Sequence, residues 1–203
     1  MPSASGPDQI VVNGMSAAGR NSAWSNAAVV VETRPEDIPL EFVERAEKEF
    51  SCSAVAGLLW RTELERLTAS KGVGQKAPAQ RMVDFLAGRL SATLPDSSYA
   101  PGLVSSDLDS WLPEQISLRL KKAFVEVDSK MHGYVSPDAL LIAAETRTST
   151  PVRILRDKVS GESPCIANLF PAGEGSGYSG GIVSSAMDGI KQCALIAERL
   201  RGK

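Results

Sequence analysis

Leu169-Phe170-Pro171-Ala172-Gly173-Glu174-Gly175-Ser176-Gly177-Tyr178-Ser179-Gly180-Gly181-Ile182 is the stretch on which the fold turns. The apolar run Ile166 to Pro171 leads into it and reads as a short strand of the buried type. Ile182 to Leu200 follows as a helix. Between them, Gly175-x-Gly177-x-x-Gly180 has the spacing of a dinucleotide fingerprint. Glycines there let backbone N–H groups approach an anion, and the helix N-terminus adds a favourable dipole.

A complete fingerprint opens a βαβ unit of about 30 residues, with an acidic residue about 20 positions further on. Here one helix remains before Lys203, and Glu198 falls inside it. The loop therefore does not begin a nucleotide-binding domain. Two readings stay open: backbone donors facing a ligand at the start of the last helix, or a tight turn with close helix–sheet packing. Gly173, Gly175, Gly177, Gly180 and Gly181 are more glycines than a turn needs, since each costs backbone entropy. Ser184, Ser185, Ala186 and Gly189 are small enough to let the helix lie close to a sheet or a planar ligand.

Upstream, Leu140 to Thr148 and Val152 to Leu155 read as strands joined through the polar turn Asp157 to Ser163 to the final segment. The clearest helix precedes them. Ile116, Leu120, Ala123, Phe124, Val127 and Met131 form one apolar stripe, with Pro113 at its start and Gly133 past its end. Lys121, Lys122, Glu126 and Lys130 would be its solvated face, and His132 a helix-end residue. A short helix is expected around Met82 to Leu86, and a longer one over Pro39 to Ser70, stopped by Lys71-Gly72-Val73-Gly74. Gln9 to Val12, before the turn signal Asn13-Gly14, and Ala27 to Thr33 read as β structure, with a polar loop from Ser16 to Asn26 between them.

With 203 residues, 43% hydrophobic and 23% charged, the chain can bury a substantial core. A formal net charge of −2 gives no electrostatic reason for nucleic acid or an anionic membrane as partner. Cys52, Cys165 and Cys193 are widely spaced and odd in number and form no CxxC pair, which suggests a reducing compartment rather than a disulfide framework, and a single histidine leaves little material for a His-based metal site. Cys193 falls on the apolar side of the last helix and reads as packing. No targeting peptide is visible in the Pro/Ser/Gly-rich start, and no apolar run is long enough to span a bilayer.

Glu145-Thr146-Arg147-Thr148-Ser149-Thr150-Pro151-Val152-Arg153, followed by the glycine stretch Pro171 to Ile182, resembles the C-terminal signature of a family of uncharacterised FAD-dependent dehydrogenases. Its members occur in bacteria and plant plastids and are often labelled NAD(FAD)-utilising dehydrogenases. The likeness extends upstream to Val11-Val12-Asn13-Gly14-Met15-Ser16, Asn21 to Val31, Ala77-Pro78-Ala79-Gln80 with Asp84-Phe85, and Ser98-Tyr99-Ala100-Pro101-Gly102.

The resemblance implies an α/β protein. Residues 1–8 would be a flexible start and 9–145 an α+β substrate-side domain. Residues 146–203 would be the strand–loop–helix that returns to a FAD/NAD(P)-binding Rossmann-like domain. It implies FAD as cofactor, NAD(P)H as a candidate electron donor and an unknown small-molecule substrate. Gly173 and Glu174 would lie near the ribityl–pyrophosphate region, and Gly180, Gly181 and Ile182 near the flavin pyrimidine edge. Arg147 and Arg153 could hold an anionic group, or pair with carboxylates such as Asp138 or Glu145. No residue stands out as a general acid or base. The N-terminal FAD fingerprint is absent from these residues, so the resemblance implies a fragment that binds FAD weakly or not at all alone. The alternative is a non-catalytic remnant serving as a binding or scaffold protein. The expected location is soluble and intracellular: cytoplasmic in a bacterium, plastid in a plant.

Overall fold

A computed structural model describes residues 2, 3, 5–15, 18, 19 and 21–202. The fold is α/β, with five α-helices and one three-stranded mixed sheet among the described residues. The helices are α1 (Leu40–Phe50), α2 (Ala56–Lys71), α3 (Met82–Leu86), α4 (Glu114–Lys130) and α5 (Ile182–Arg201). The strands are β1 (Ala77–Arg81), β2 (Leu103–Ser105) and β3 (Leu140–Ile142). The chain divides into two compact units, Met1–Asp37 with Arg61–Thr146, and Ile38–Trp60 with Arg147–Lys203.

In the first unit β1 is central. It runs parallel to β2, with Ala77 opposite Leu103, and antiparallel to β3, with Arg81 opposite Leu140. Its sequence, Ala-Pro-Ala-Gln-Arg, has no β-branched residue and a proline at its second position. Small side chains suit it to a place where Ala77 and Ala79 are fully buried. Pro78 contributes as an acceptor, its carbonyl taking the Ala143 N–H at 3.0 Å.

The core of this unit forms where α3 and α4 meet the sheet. Met82, Phe85, Leu108, Phe124 and Ala143 cluster there. The Phe85 and Phe124 rings lie edge to face, 6.1 Å apart. Phe124 is the buried centre of the α4 stripe, whereas Met131, past the end of the helix, is exposed. Lys121 departs from the expected solvated face. Its ammonium lies 5.4 Å from the Phe85 ring centre and 2.6 Å from Asp109 Oδ2. Arg119 pairs with Asp37 at 2.7 Å, and that guanidinium holds the Asp37 carboxyl down to about 2.

Ile10 to Val12 is buried and Gln9 half-buried, as the residues suggest, yet Gln9 to Val12 is not a ladder strand. The Ile10 N–H bonds the Glu65 carbonyl and the Val12 N–H the Ala144 carbonyl, leaving one isolated bridge between Pro2 and Val12. Ala27 to Thr33 forms no strand either, and Val29 and Val30 are exposed. Ser16, with which the expected polar loop starts, lies outside the described residues, as do Met1 and Ala4 of the start. The helix expected over Pro39 to Ser70 is broken in two. Ser51 turns left-handed at φ 51°, and a single 3-10 turn, Ser53–Val55, precedes α2.

The second unit has an apolar cluster of Phe42, Ala46 and Ala56. Residues 147–202 contribute no member to any buried hydrophobic cluster among the described residues. Neither Val152 to Leu155 nor Ile166 to Pro171 is a strand. The latter turns at Asn168, whose φ is 63° and whose N–H bonds Glu162 Oε1 at 2.6 Å, and this exposes Ile166 and Leu169. The strand–loop–helix expected here is therefore a turn–loop–helix in this chain. Cys193, expected to pack, is exposed, because the apolar face of α5 is turned away from its own unit.

Candidate functional site

The glycine-rich loop owes its path to two of its glycines. Gly173 has φ 72° and Gly177 φ 83°, values costly for any residue with a Cβ. At Gly177 a Cβ would also sit 2.6 Å from the Val152 carbonyl oxygen. Between them Glu174–Ser176 makes one 3-10 turn. It is closed by the Gly177 N–H on the Glu174 carbonyl at 2.9 Å and the Tyr178 N–H on the Gly173 carbonyl at 3.1 Å.

Gly175 and Gly180 are different. Neither has a positive φ, and a Cβ at either would meet nothing within 4 Å. Among the described residues nothing requires glycine at these positions. At the helix start, the Gly181 N–H donates to Ser184 Oγ at 3.1 Å, and that hydroxyl donates to the Gly181 carbonyl at 3.0 Å. The first turn of any helix leaves backbone N–H groups without intrahelical acceptors. In α5 these belong to Ile182, Val183 and Ser184, beside a Gly180 and Gly181 that are both exposed.

One arginine carries the loop. Arg156 donates to the Pro171 carbonyl at 2.7 Å and to both Asp188 oxygens at 2.8 and 2.6 Å. Its guanidinium lies 3.6 Å from the centre of the Tyr178 ring, and its backbone N–H donates to the Tyr178 hydroxyl at 3.0 Å. Asp188 accepts the Gly173 N–H at 2.9 Å as well. The Arg156 guanidinium, helped by that N–H, outweighs burial and holds the Asp188 carboxyl at about 2, below its ordinary 3.8. With its amide oxygen facing Arg156 Nη1 at 3.1 Å, Gln192 donates to the Gly161 carbonyl at 3.2 Å.

Of the two arginines singled out in the sequence, Arg153 reaches the loop. It donates to the Gly177 carbonyl at 2.9 Å and lies 5.0 Å from the Tyr178 ring centre, so a carbonyl and a ring take the place of a carboxylate. Arg147 is half-buried at the start of the same unit. Thr146 belongs to the other unit, where its hydroxyl donates to the buried Glu65 carboxylate at 2.8 Å. Glu174 is half-buried in the 3-10 turn, and Ile182 is 93% exposed. Gly173, expected beside a ligand, has its N–H engaged by Asp188. Sequence reasoning missed Arg156 and Asp188, because no local spacing links residues so far apart in the chain.

Other hollows offer less chemistry. One of about 410 Å³, lined by Val30, Glu32, Arg34 and Arg119, has its Arg119 charge committed to Asp37. Another of about 540 Å³ includes Arg81, whose guanidinium bonds Thr93 and the Pro137 carbonyl. Among the described residues no group of His, Cys, Asp and Glu could hold a metal ion, and no helix is long and apolar enough to cross a membrane.

Comparison with known proteins adds two findings. The sequence profile of the family described as FAD-dependent protein, C-terminal domain-like, matches residues 1–148. The match ends before the glycine loop. An uncharacterized protein of Clostridium beijerinckii is 37% identical over 199 residues, which cover 97% of this chain and 35% of that protein. The chain thus spans about a third of the length of the curated relative it matches.

Proposed function

The chain belongs to the FAD-dependent protein, C-terminal domain-like family, and on that premise we propose that it is the C-terminal portion of a FAD-dependent oxidoreductase. Its part in that enzyme is to supply one wall of the flavin site, from Gly173 to Ile182. Bound FAD would supply the redox chemistry itself, taking up a hydride or electrons at its ring system. The single observation that carries the reading is Gly180: a glycine with ordinary φ, open space at its Cβ position, and a helix N-terminus beside it.

The residues fit the group. A flat ligand edge can approach Gly180 and Gly181 to backbone distance, where a side chain would hold it off. The N–H groups of Ile182 and Val183, with the positive end of α5 behind them, favour negative charge at that edge. Glu174 and Gly173 would lie toward the ribityl chain, whose hydroxyls can donate to a carboxylate. Arg153 is the residue proposed to meet an anionic group, a substrate carboxylate or a flavin phosphate. Arg147 is a second, weaker candidate. The remaining contacts to the phosphates and adenine would come from polypeptide of the kind the clostridial relative carries outside the matched third.

A finer reading makes the enzyme a dehydrogenase coupled to NADH or NADPH. It is tested with a chimera in which this chain replaces the matching third of the clostridial relative. The purified chimera is expected to show flavin absorbance, or to take up one equivalent of added FAD, and the bound flavin to bleach with NADH or NADPH under anaerobic conditions. A folded chimera that takes up no FAD would contradict the flavin reading and leave a scaffold role.

A further inference from the structure

Helix α5 is amphipathic in the reverse of the usual sense. At about 100° per residue, Ile182, Val183, Met187, Ile190, Cys193 and Ala194 fall within one arc of the helix. All six are exposed, Val183, Met187 and Ile190 by 72%, 66% and 71%. The opposite arc holds Asp188 and Gln192, and these are the residues that meet Arg156 and Gly161 in their own unit. A surface helix normally turns its apolar stripe to a core and its charges to water. Here polar contacts fasten the helix to its own unit, and the apolar arc is left as a continuous outer surface.

From this we infer that the outer face of α5 is an interface, and that its occupant is an apolar surface of the polypeptide that the clostridial relative carries beyond the third matching this chain. Three observations point to that occupant. Residues 147–202 add nothing to a buried hydrophobic cluster of their own among the described residues, so this segment lacks the core its composition could form. The relative is nearly three times as long as the aligned stretch, and the alignment covers 97% of this chain, so it takes in most of α5. From Ile182 to Ala197 the arc carries no charge, Arg201 entering it only at the helix end, and Ala186 and Ala194 between the larger side chains keep it flat enough for close packing on a sheet or helix layer. A membrane-surface helix would instead leave its polar arc free for headgroups and water, whereas this polar arc is occupied. The inference stands apart from flavin binding, since the face could be covered in a protein that holds no FAD.

Cys193 lies on this face and serves as a reporter once Cys52→Ser and Cys165→Ser remove the other two thiols. In the isolated chain its thiol is expected to react freely with a maleimide. In the chimera with the clostridial relative, the rate should fall by roughly tenfold or more as the face is covered. Equal rates in the two proteins would overturn the inference. Ile190→Glu provides a second readout. It should leave the unfolding midpoint of the isolated chain unchanged and lower that of the chimera by about 5 °C, because a charge enters an apolar contact. A fall in the isolated chain would show the face covered within this chain, and would also overturn it. A concentration-dependent dimer of the isolated chain, dissociated by Ile190→Glu while the chimera is unaffected, would assign the face to a second copy instead. FAD content is measured in the same samples, so loss of docking with retained flavin, or the converse, separates this inference from the proposed function.

Discussion

Arg156 and Asp188 meet in a two-point ion pair, Nη2 to Oδ1 at 2.6 Å, with their side chains only 10% and 13% exposed. The pair ties α5 to the segment before the glycine loop, and Asp188 also accepts the Gly173 N–H. A guanidinium fits this place better than an ammonium, because it binds the carboxylate in fork geometry while stacking on Tyr178.

Asp188→Asn keeps the shape of the side chain and removes its charge, leaving a largely enclosed guanidinium short of its counter-ion. We expect a loss of on the order of 2 kcal/mol, below the cost of breaking a fully buried pair. Arg156→Lys should also destabilise, since a lysine loses both the fork and the ring contact. Urea denaturation followed by circular dichroism reads both variants. An Arg156→Lys protein as stable as the parent would deny the fork any role.

Acid should loosen this anchor. The Asp188 carboxyl titrates at about 2 in the folded chain against an ordinary 3.8, so its contribution is full above the higher value and is lost as pH falls through the lower one. Asp37 titrates in the same range, so the informative quantity is the difference between the parent chain and Asp188→Asn. That difference should be constant from neutral pH down to about pH 4 and shrink toward about pH 2. A difference independent of pH throughout would show that the ion pair is not its source.

Two loop glycines separate backbone need from ligand need. Gly177→Ala places a Cβ against the Val152 carbonyl at positive φ, and should cost about 1–3 kcal/mol. Gly175→Ala enters open space without a positive φ and should leave stability unchanged or slightly raised. Thermal unfolding of the two variants side by side checks this. Equal destabilisation would mean the loop path differs from the one described.

In the first unit, Phe85→Ala removes a fully buried ring that meets Phe124 edge to face and lies beneath the Lys121 ammonium. The expected loss is about 3–5 kcal/mol, from transfer and cavity together. Phe50→Ala, at an exposed position at the end of α1, is the control and should cost far less.

What could be read in the sequence followed strong local signals. The limits of α3, the apolar stripe of α4, the glycine stop after α2 and the extent of α5 all rest on periodicity and capping. β1 was illegible because Ala77-Pro78-Ala79 carries no strand propensity, and only the depth of burial makes small residues right there. Ile166 to Pro171 was misread because an apolar run suggests burial, yet here it turns at Asn168 and stays open. For the loop, the glycine spacing was visible. The separation of Gly173 and Gly177, which the backbone requires, from Gly175 and Gly180, which it does not, needed φ values and neighbours. Arg156 could not be singled out, since its partner arrives through a tertiary turn.

The most direct test of the flavin reading is the FAD affinity of the chimera with and without Gly180→Val. Among the described residues, nothing beyond the two chain neighbours lies within 4 Å of a Cβ at this position, so the unfolding midpoint of the flavin-free protein should move little. The same branched side chain would stand between the backbone and a flavin edge, and FAD should bind at least about tenfold more weakly, a change of about 1.4 kcal/mol. FAD bound equally well by both proteins would place the flavin elsewhere and contradict the account.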